Sequence, residues 1–190
     1  MARNVVDLIV ADHRELQRIF GMLRAGDGDR QMLFQLAAAM LAAHSRAEEA
    51  EVYPEIAVAA EVAQAEHSRE EHAEADALVS QMMGRDPQSR EFERLMQQWI
   101  EAVEHHIQYE ESTTLPALRE AVDSRRLAQL ADAFATRRGT ELMHGPSMHQ
   151  TSDSVLNREQ LYEKARAYDI PGRSHMTKQE LEQALVEAGA

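Results

Sequence analysis

Residues 104–116 read Glu-His-His-Ile-Gln-Tyr-Glu-Glu-Ser-Thr-Thr-Leu-Pro, and their core is His106, Glu110, Glu111 and Pro116. The same pattern stands upstream as His44, Glu48, Glu49 and Pro54: a His, three residues, Glu-Glu, four residues, Pro. Each copy is preceded by an acidic residue and a His, Asp12-His13 and Glu71-His72. The chain is therefore built on a duplicated unit, a lone His on one helix and a His-Glu pair on the next. Residues four apart on a helix project from one face, a turn from each other. A single such pair is ordinarily a solvated surface contact. Four imidazoles and two carboxylates brought inward from four helices would instead form a site for two metal ions.

The flanking sequence puts these residues inside. The first helix is expected to start after Asn4, with Asp7 as its capping partner. Val6, Ile9, His13, Leu16, Phe20 and Leu23 then recur at three- and four-residue steps, so His13 lies on the apolar stripe. Gly26-Asp27-Gly28-Asp29 turns the chain into a second helix with Leu33, Ala37, Met40, Leu41, His44 and Glu48 on one face. A third helix over roughly 62–83 aligns His72 with Ala75, Val79 and Met82. Ser89 caps a fourth, with the stripe Phe92, Leu95, Trp99, Val103, His106 and Glu110. Pro54 and Pro116 end or bend their helices, because proline lacks the amide donor and crowds the preceding turn. Short connections between long helices predict an up-down-up-down four-helix bundle.

A fifth amphipathic helix is expected over 123–138, with Leu127, Leu130, Ala131 and Phe134 inward. Residues 139–154 hold two glycines, a proline and several Ser and Thr without periodicity, which reads as a linker. The expected organisation is a bundle over 1–138, the linker 139–154, and a small helix-loop-helix unit over 155–190. The fold class is all-α.

Composition narrows the chemistry. Ala, Leu, Glu, Gln and Met favour helix, and no strand pattern is visible. The net charge of −13 argues against a chain-wide nucleic-acid surface. There is no cysteine, which excludes thiolate metal sites, thiol nucleophiles and disulfides. A metal would have to use imidazole and carboxylate, a donor set that suits iron, manganese or zinc. No segment is apolar enough to span a bilayer, so the cytoplasm is the expected location. Unpartnered ionisable groups on an apolar stripe are costly, and a metal ion can satisfy several at once. The alternative is a polar core of hydrogen-bonded His and Glu.

The stripe sorts the remaining candidates. His105 points about 100° away from His106 and His67 turns away from His72, so both are expected at the surface or outside the ligand set. Glu49 and Glu111 are expected on a solvated face, with orienting a ligand or carrying protons as the functional alternative. Tyr53, one turn beyond Glu49, is expected to pack in the core or at its rim, with approach to the site as the alternative. The Glu-x-x-His of ferritin-like bundles occurs only at Glu141–His144, in the expected linker. There is no His-Glu-x-x-His, phosphate-binding glycine loop or nucleophile elbow.

The order His13, His44-x-x-x-Glu48, His72, His106-x-x-x-Glu110 resembles the hemerythrin-like HHE cation-binding family over roughly residues 1–138. The resemblance implies a four-helix bundle holding two non-haem irons that react with oxygen, peroxide or nitric oxide. Carried over by position, one iron would take His13 and His44, the other His72 and His106, with Glu48 and Glu110 bridging. Zinc or manganese could replace iron. Oxygen-carrying hemerythrins have a His pair four apart on the third helix, where this chain has Ser68 before His72. They also place an Asp five residues after the last His, where this chain has Glu110 at four and Glu111 at five. One nitrogen ligand fewer counts against reversible oxygen carriage and favours peroxide or oxygen chemistry at an open coordination position. A catalase-like reaction is the expected activity, and a non-enzymatic iron-binding or oxygen-sensing module its alternative.

Residues 155–190 resemble the small SAP-like and Rho N-terminal-like modules. Asn157 with Gln160 and Thr177 with Glu180 mark two helix starts around the loop Ile170-Pro171-Gly172-Arg173-Ser174. The resemblance implies nucleic-acid contact through Arg173 and Lys178. The segment's five basic and six acidic residues keep a protein-contact or packing role open.

Overall fold

The computed structural model describes residues 4–59 and 62–144, and in the C-terminal part Ala165, Ile170, Met176, Thr177, Leu181, Ala184 and Leu185. Among the described residues the chain is all-α. It runs through α1 (Val5–Ala25), α2 (Arg30–Glu51), α3 (Tyr53–Ala59), α4 (Val62–Met82) and α5 (Arg90–Tyr109). A π-helical turn at Glu110–Thr114, α6 (Leu115–Ala121) and α7 (Ser124–His144) follow.

Local chemistry sets these boundaries. The Asn4 side chain accepts from the Val6 amide at 2.8 Å and starts α1. Asp7 does not complete the expected capping pair, because its carboxylate accepts from Arg119 at 2.6 Å. Gly26, at φ 72°, ends α1 in the left-handed conformation that glycine adopts at little cost. Asp29 and Ser89 cap α2 and α5 through the Met32 and Phe92 amides, at 2.9 and 3.1 Å.

Both prolines bend the chain where the duplicated pattern places them. Pro54 sits in the first turn of α3, after a break at Val52. Ahead of Pro116, α5 opens into the π turn, closed by Leu115 N–H donating to Glu110 C=O. Proline supplies no amide and its ring crowds the carbonyl four residues back, so the helix absorbs one extra residue before continuing.

The helices of the bundle alternate in direction. Arg24 pairs with Glu104 while His13 meets Glu111, so α1 and α5 run opposite. Glu71 meets His106 and Arg85 meets Glu91, which sets α4 against α5. The fifth long helix, α7, lies along α2 and α1, with Leu130, Ala131 and Phe134 buried. It continues past Arg138, where its end was expected, to His144. Gly139 is accommodated inside it, and the last turns are held by Glu141, which accepts from Arg46 and Arg137 at 3.0 and 2.9 Å. Six residues of the expected linker are thus helical. Residues 145–154 lie outside the described residues.

Two apolar clusters fill the bundle. One gathers residues such as Leu16, Phe20, Phe34, Leu41, Phe92 and Trp99, and the other Val5, Ile9, Val52, Ile56, Leu115 and Phe134. Along α1 the second cluster ends at Ile9 and the first begins at Leu16. Along α5 the first ends at Ile107, and the second resumes at Leu115. His13, His44, His72, His106, Glu48 and Glu110 occupy the level between them, all buried. The polar residues therefore form one layer between two dry layers.

Trp99 anchors the larger cluster, fully buried and edge-on to Phe20 and Phe34 with centroids 5.1 and 5.7 Å apart. Trp99→Ala is expected to cost about 3–5 kcal/mol of stability. Urea unfolding would measure it, and a loss under about 1 kcal/mol would contradict this packing.

The chain divides into two compact units, 1–148 and 149–190. In the second, Ala165, Ile170, Leu181 and Leu185 form a small buried cluster, and the Leu181 amide donates to Thr177 C=O at 3.0 Å. Asn157, Gln160, Arg173, Lys178 and Glu180, on which the expectation of a SAP-like module rests, lie outside the described residues. No helix among the described residues is long and apolar enough to cross a membrane.

Candidate metal centre

Each of the four buried histidines is held from behind by a carboxylate. His13 Nδ1 donates to Glu111 at 2.9 Å, His44 Nδ1 to Asp12 at 3.2 Å, His72 Nδ1 to Glu49 at 3.0 Å and His106 Nδ1 to Glu71 at 2.9 Å. The arrangement repeats with the sequence. Asp12 and Glu71, one residue before a lone His, support the His of the next helix in their own repeat. Glu49 and Glu111, one residue after the inward Glu, support the lone His of the other repeat. Bonding Nδ1 to a carboxylate fixes the tautomer, so each Nε2 is a lone-pair donor aimed at the centre.

The inward atoms converge. His13, His44, Glu48 and Glu110 offer ligand atoms all within 4.8 Å of one another, and Glu48, His72 and His106 do the same. Glu48 belongs to both groups: its Oε2 lies 3.2 Å from His44 Nε2 and 3.6 Å from His72 Nε2. Glu110 Oε2 stands 3.3 Å from His13 Nε2 and 3.8 Å from His106 Nε2. His13 Nε2, His44 Nε2, Glu48 Oε1 and Glu110 Oε2 are buried without a well-formed hydrogen bond. Buried polar atoms are normally paired, so atoms this close, aimed together and unpaired, fit a cation.

Electrostatics agree. Burial disfavours a charged His44, yet the charges of Glu48 and Asp12 outweigh it and raise its pKa to about 10. Burial likewise opposes ionised Glu110, but the His13 contact at 3.3 Å and the charges of His106, His13 and His44 bring it down to about 2. Protons on imidazole neutralise the buried carboxylates when no other cation does so.

Two of the orienting residues, Glu49 and Glu111, were expected on a solvated face. They are only partly exposed and bind His72 and His13, because the residue after an inward Glu points sideways into the neighbouring helix. Asp12 and Glu71 were not assigned a role, although an acidic residue directly before each lone His was the available signal. Tyr53 is the larger correction. Its hydroxyl is buried at the centre itself, 3.2 Å from His72 Nε2, 3.4 Å from Glu110 Oε1 and 3.5 Å from Glu48 Oε2. Burial, then the charges of Glu110 and Glu48, hold its pKa well above the ordinary value. Ser68, one turn before His72, is buried and offers a hydroxyl where a second imidazole would otherwise reach inward. His67 and His105 are exposed, as expected.

The fifth helix closes the His13 side. Phe134 packs edge-on against the His44 ring at 5.7 Å, and Arg138 pairs with Asp12 at 2.5 Å.

A helical bundle with two interlocked histidine–carboxylate groups between apolar layers is the architecture of a cation-binding protein. The hemerythrin HHE cation binding domain matches residues 4–118, more than half of the chain, and the chain belongs to that family. It is also similar to the "DNA nickase" of Nostoc sp. (strain PCC 7120 / SAG 25.82 / UTEX 2576), 28% identical over 133 residues. That alignment covers 69% of this chain and 38% of the relative, so the chain spans well under half of that protein's length. No solved structure matches the chain significantly. The resemblance of residues 155–190 to SAP-like modules has no support among these comparisons.

Proposed function

We propose that the protein holds two non-haem iron ions and reacts with a small oxygen species, hydrogen peroxide before oxygen or nitric oxide. His13, His44, Glu48 and Glu110 would hold one ion, and His72, His106, the shared Glu48 and Tyr53 the other. The observation that carries this reading is the set of buried, convergent Nε2 and carboxylate atoms, of which His13 Nε2, His44 Nε2, Glu48 Oε1 and Glu110 Oε2 lack a well-formed hydrogen bond, with every imidazole anchored from behind by a carboxylate. Imidazole and carboxylate donors suit iron, with zinc and manganese the competing ions.

Bound iron would supply the redox change and a coordination position for the oxygen species. The chain supplies the rest. Apolar layers on both sides keep bulk water from the centre. Glu49 and Glu111 reach from partly exposed positions to the back of His72 and His13, hold their Nδ1 protons, and so keep each Nε2 turned toward an ion. A non-enzymatic iron-binding or sensing module would use the same ligands without turnover.

Elemental analysis and a near-ultraviolet spectrum test the centre. About two irons per chain are expected, with charge-transfer bands lost in a His106→Ala, Glu110→Ala double variant. A folded protein unable to take up iron anaerobically would sink the reading. Peroxide turnover no faster than that of free iron would leave the module and remove the enzyme. Ligation by Tyr53 predicts a visible phenolate-to-iron(III) band, absent in Tyr53→Phe at equal iron content. Persistence of the band would remove Tyr53 from the ligand set.

A second reading, contact with nucleic acid, takes its cue from the name of the Nostoc relative alone. The charge of −1 over residues 155–190 leaves few phosphate contacts there, which predicts weak binding with a shallow salt dependence. An electrophoretic shift assay on the full chain, with no retardation at low salt, would dispose of it.

A further inference from the structure

The four carboxylates behind the histidines do not face outward alike. Asp12 meets Arg138, and Glu111 accepts from Arg14 at 2.5 and 3.0 Å, so a guanidinium guards both on the α1 side. Glu71 meets three histidines instead. Its Oε2 accepts from buried His106 at 2.9 Å, while its Oε1 lies 3.5 Å from His67 Nε2 and 3.8 Å from His105 Nε2. His67 and His105 are exposed, His105 to 74%. The His67 ring is steadied edge-on against Tyr109, with centroids 4.8 Å apart, one turn along α5 from His105.

We propose that Glu71, His67 and His105 form an outer site for a divalent transition metal, through which the ion passes to His106 and the buried centre. The inference rests on the metal-binding reading above. Two imidazoles and one carboxylate are a complete protein donor set for an ion that keeps solvent ligands. Ligand atoms each about 2.1 Å from one ion lie roughly 3.0–3.5 Å apart at octahedral or tetrahedral angles. The His67–Glu71 spacing already meets that at 3.5 Å, while the exposed His105 ring, with Nε2 3.8 Å from Glu71 Oε1, would have to turn toward His67 to complete the set. Glu71 would use one oxygen on the ion and keep the other on His106, so the incoming ion stands one residue from an inward Nε2. The Arg138 and Arg14 guanidinium groups would repel a cation at Asp12 and Glu111, leaving Glu71 better placed than either as an entrance.

The test follows filling of the metal-stripped full chain with Co2+ alone by stopped-flow visible absorption, in wild type and in His67→Gln/His105→Gln. The variant is expected to fill about tenfold more slowly, the low end of what a charged funnel contributes to association rates. At two Co2+ per chain it should reach the same endpoint with the same spectrum, the third ion being read only with Co2+ in excess. His105→Gln alone, at a position too exposed to affect folding, should be intermediate. Wild type should also show a weak third Co2+ that the double variant lacks. Equal filling rates and no third ion would overturn the outer site while leaving the buried centre standing. A wild type that takes up no Co2+ would overturn both.

Discussion

Glu48→Gln is expected to empty both ion sites at once, whereas His72→Ala should empty one. Glu48 alone among the inward residues belongs to both convergent groups, with one oxygen 3.2 Å from His44 Nε2 and 3.6 Å from His72 Nε2. Glutamine keeps its shape and hydrogen-bonding atoms, so the apolar layers above and below should stay packed. The negative charge and the bridging oxygen are lost. Orienting partners of metal ligands typically contribute 10–100-fold in affinity, and a shared ligand should exceed that, at more than about 100-fold for each ion. His72→Ala leaves His13, His44, Glu48 and Glu110 intact and should retain one ion. Elemental analysis after dialysis against a chelator would distinguish the three proteins. Two ions retained by Glu48→Gln would show that the groups fill independently, and that Glu48 is a bystander.

The bundle and its inward stripe were legible because both are local. The His-x-x-x-Glu spacing puts two donors on one face whatever surrounds them, and the duplicated Pro54 and Pro116 announced the bends. What was not legible depends on the turn between elements. Tyr53 reaches the centre only because α2 breaks at Val52 and restarts as α3, which rotates the tyrosine back over His72. An unbroken helix read through Glu49 would carry it toward the rim. The π turn at Glu110–Thr114 is likewise the response of the backbone to Pro116, and it sets how Glu110 and Glu111 divide between the centre and His13. The orienting carboxylates act across helices, so their role depends on which helices are neighbours. Periodicity along one helix does not contain that. The end of α7 was misplaced because Gly139 reads as a breaker, while the ion pairs of Glu141 that carry the helix onward are partly tertiary.

The metal-stripped protein should be most stable from about pH 4.5 to about pH 6.5 and lose stability on either side. Glu110 has its pKa lowered from 4.5 to about 2, so the folded state favours the carboxylate. Its contribution is complete above about 4.5 and fades as pH falls toward 2. His44 has its pKa raised from 6.5 to about 10, so the folded state holds that proton more tightly than the unfolded chain does. This contribution is complete below about 6.5 and drains away as pH rises toward 10, and His106, raised for similar reasons, adds to it. The alkaline loss should be on the order of a few kcal/mol, since one pKa unit corresponds to about 1.4 kcal/mol. Metal reverses the alkaline limb. Two divalent ions, one on the His13 and His44 Nε2 atoms and one on those of His72 and His106, take over the neutralisation of Glu48 and Glu110, so the loaded protein should hold its melting temperature to about pH 9. On the acid side protons compete for the same nitrogens, the ion is released, and the loaded and stripped curves should merge. Thermal melts from about pH 2.5 to about pH 9.5, with and without metal, would draw both curves. A stripped protein that grows more stable between pH 6.5 and 9 would mean that its imidazoles are neutral, and that protons do not stand in for the ion.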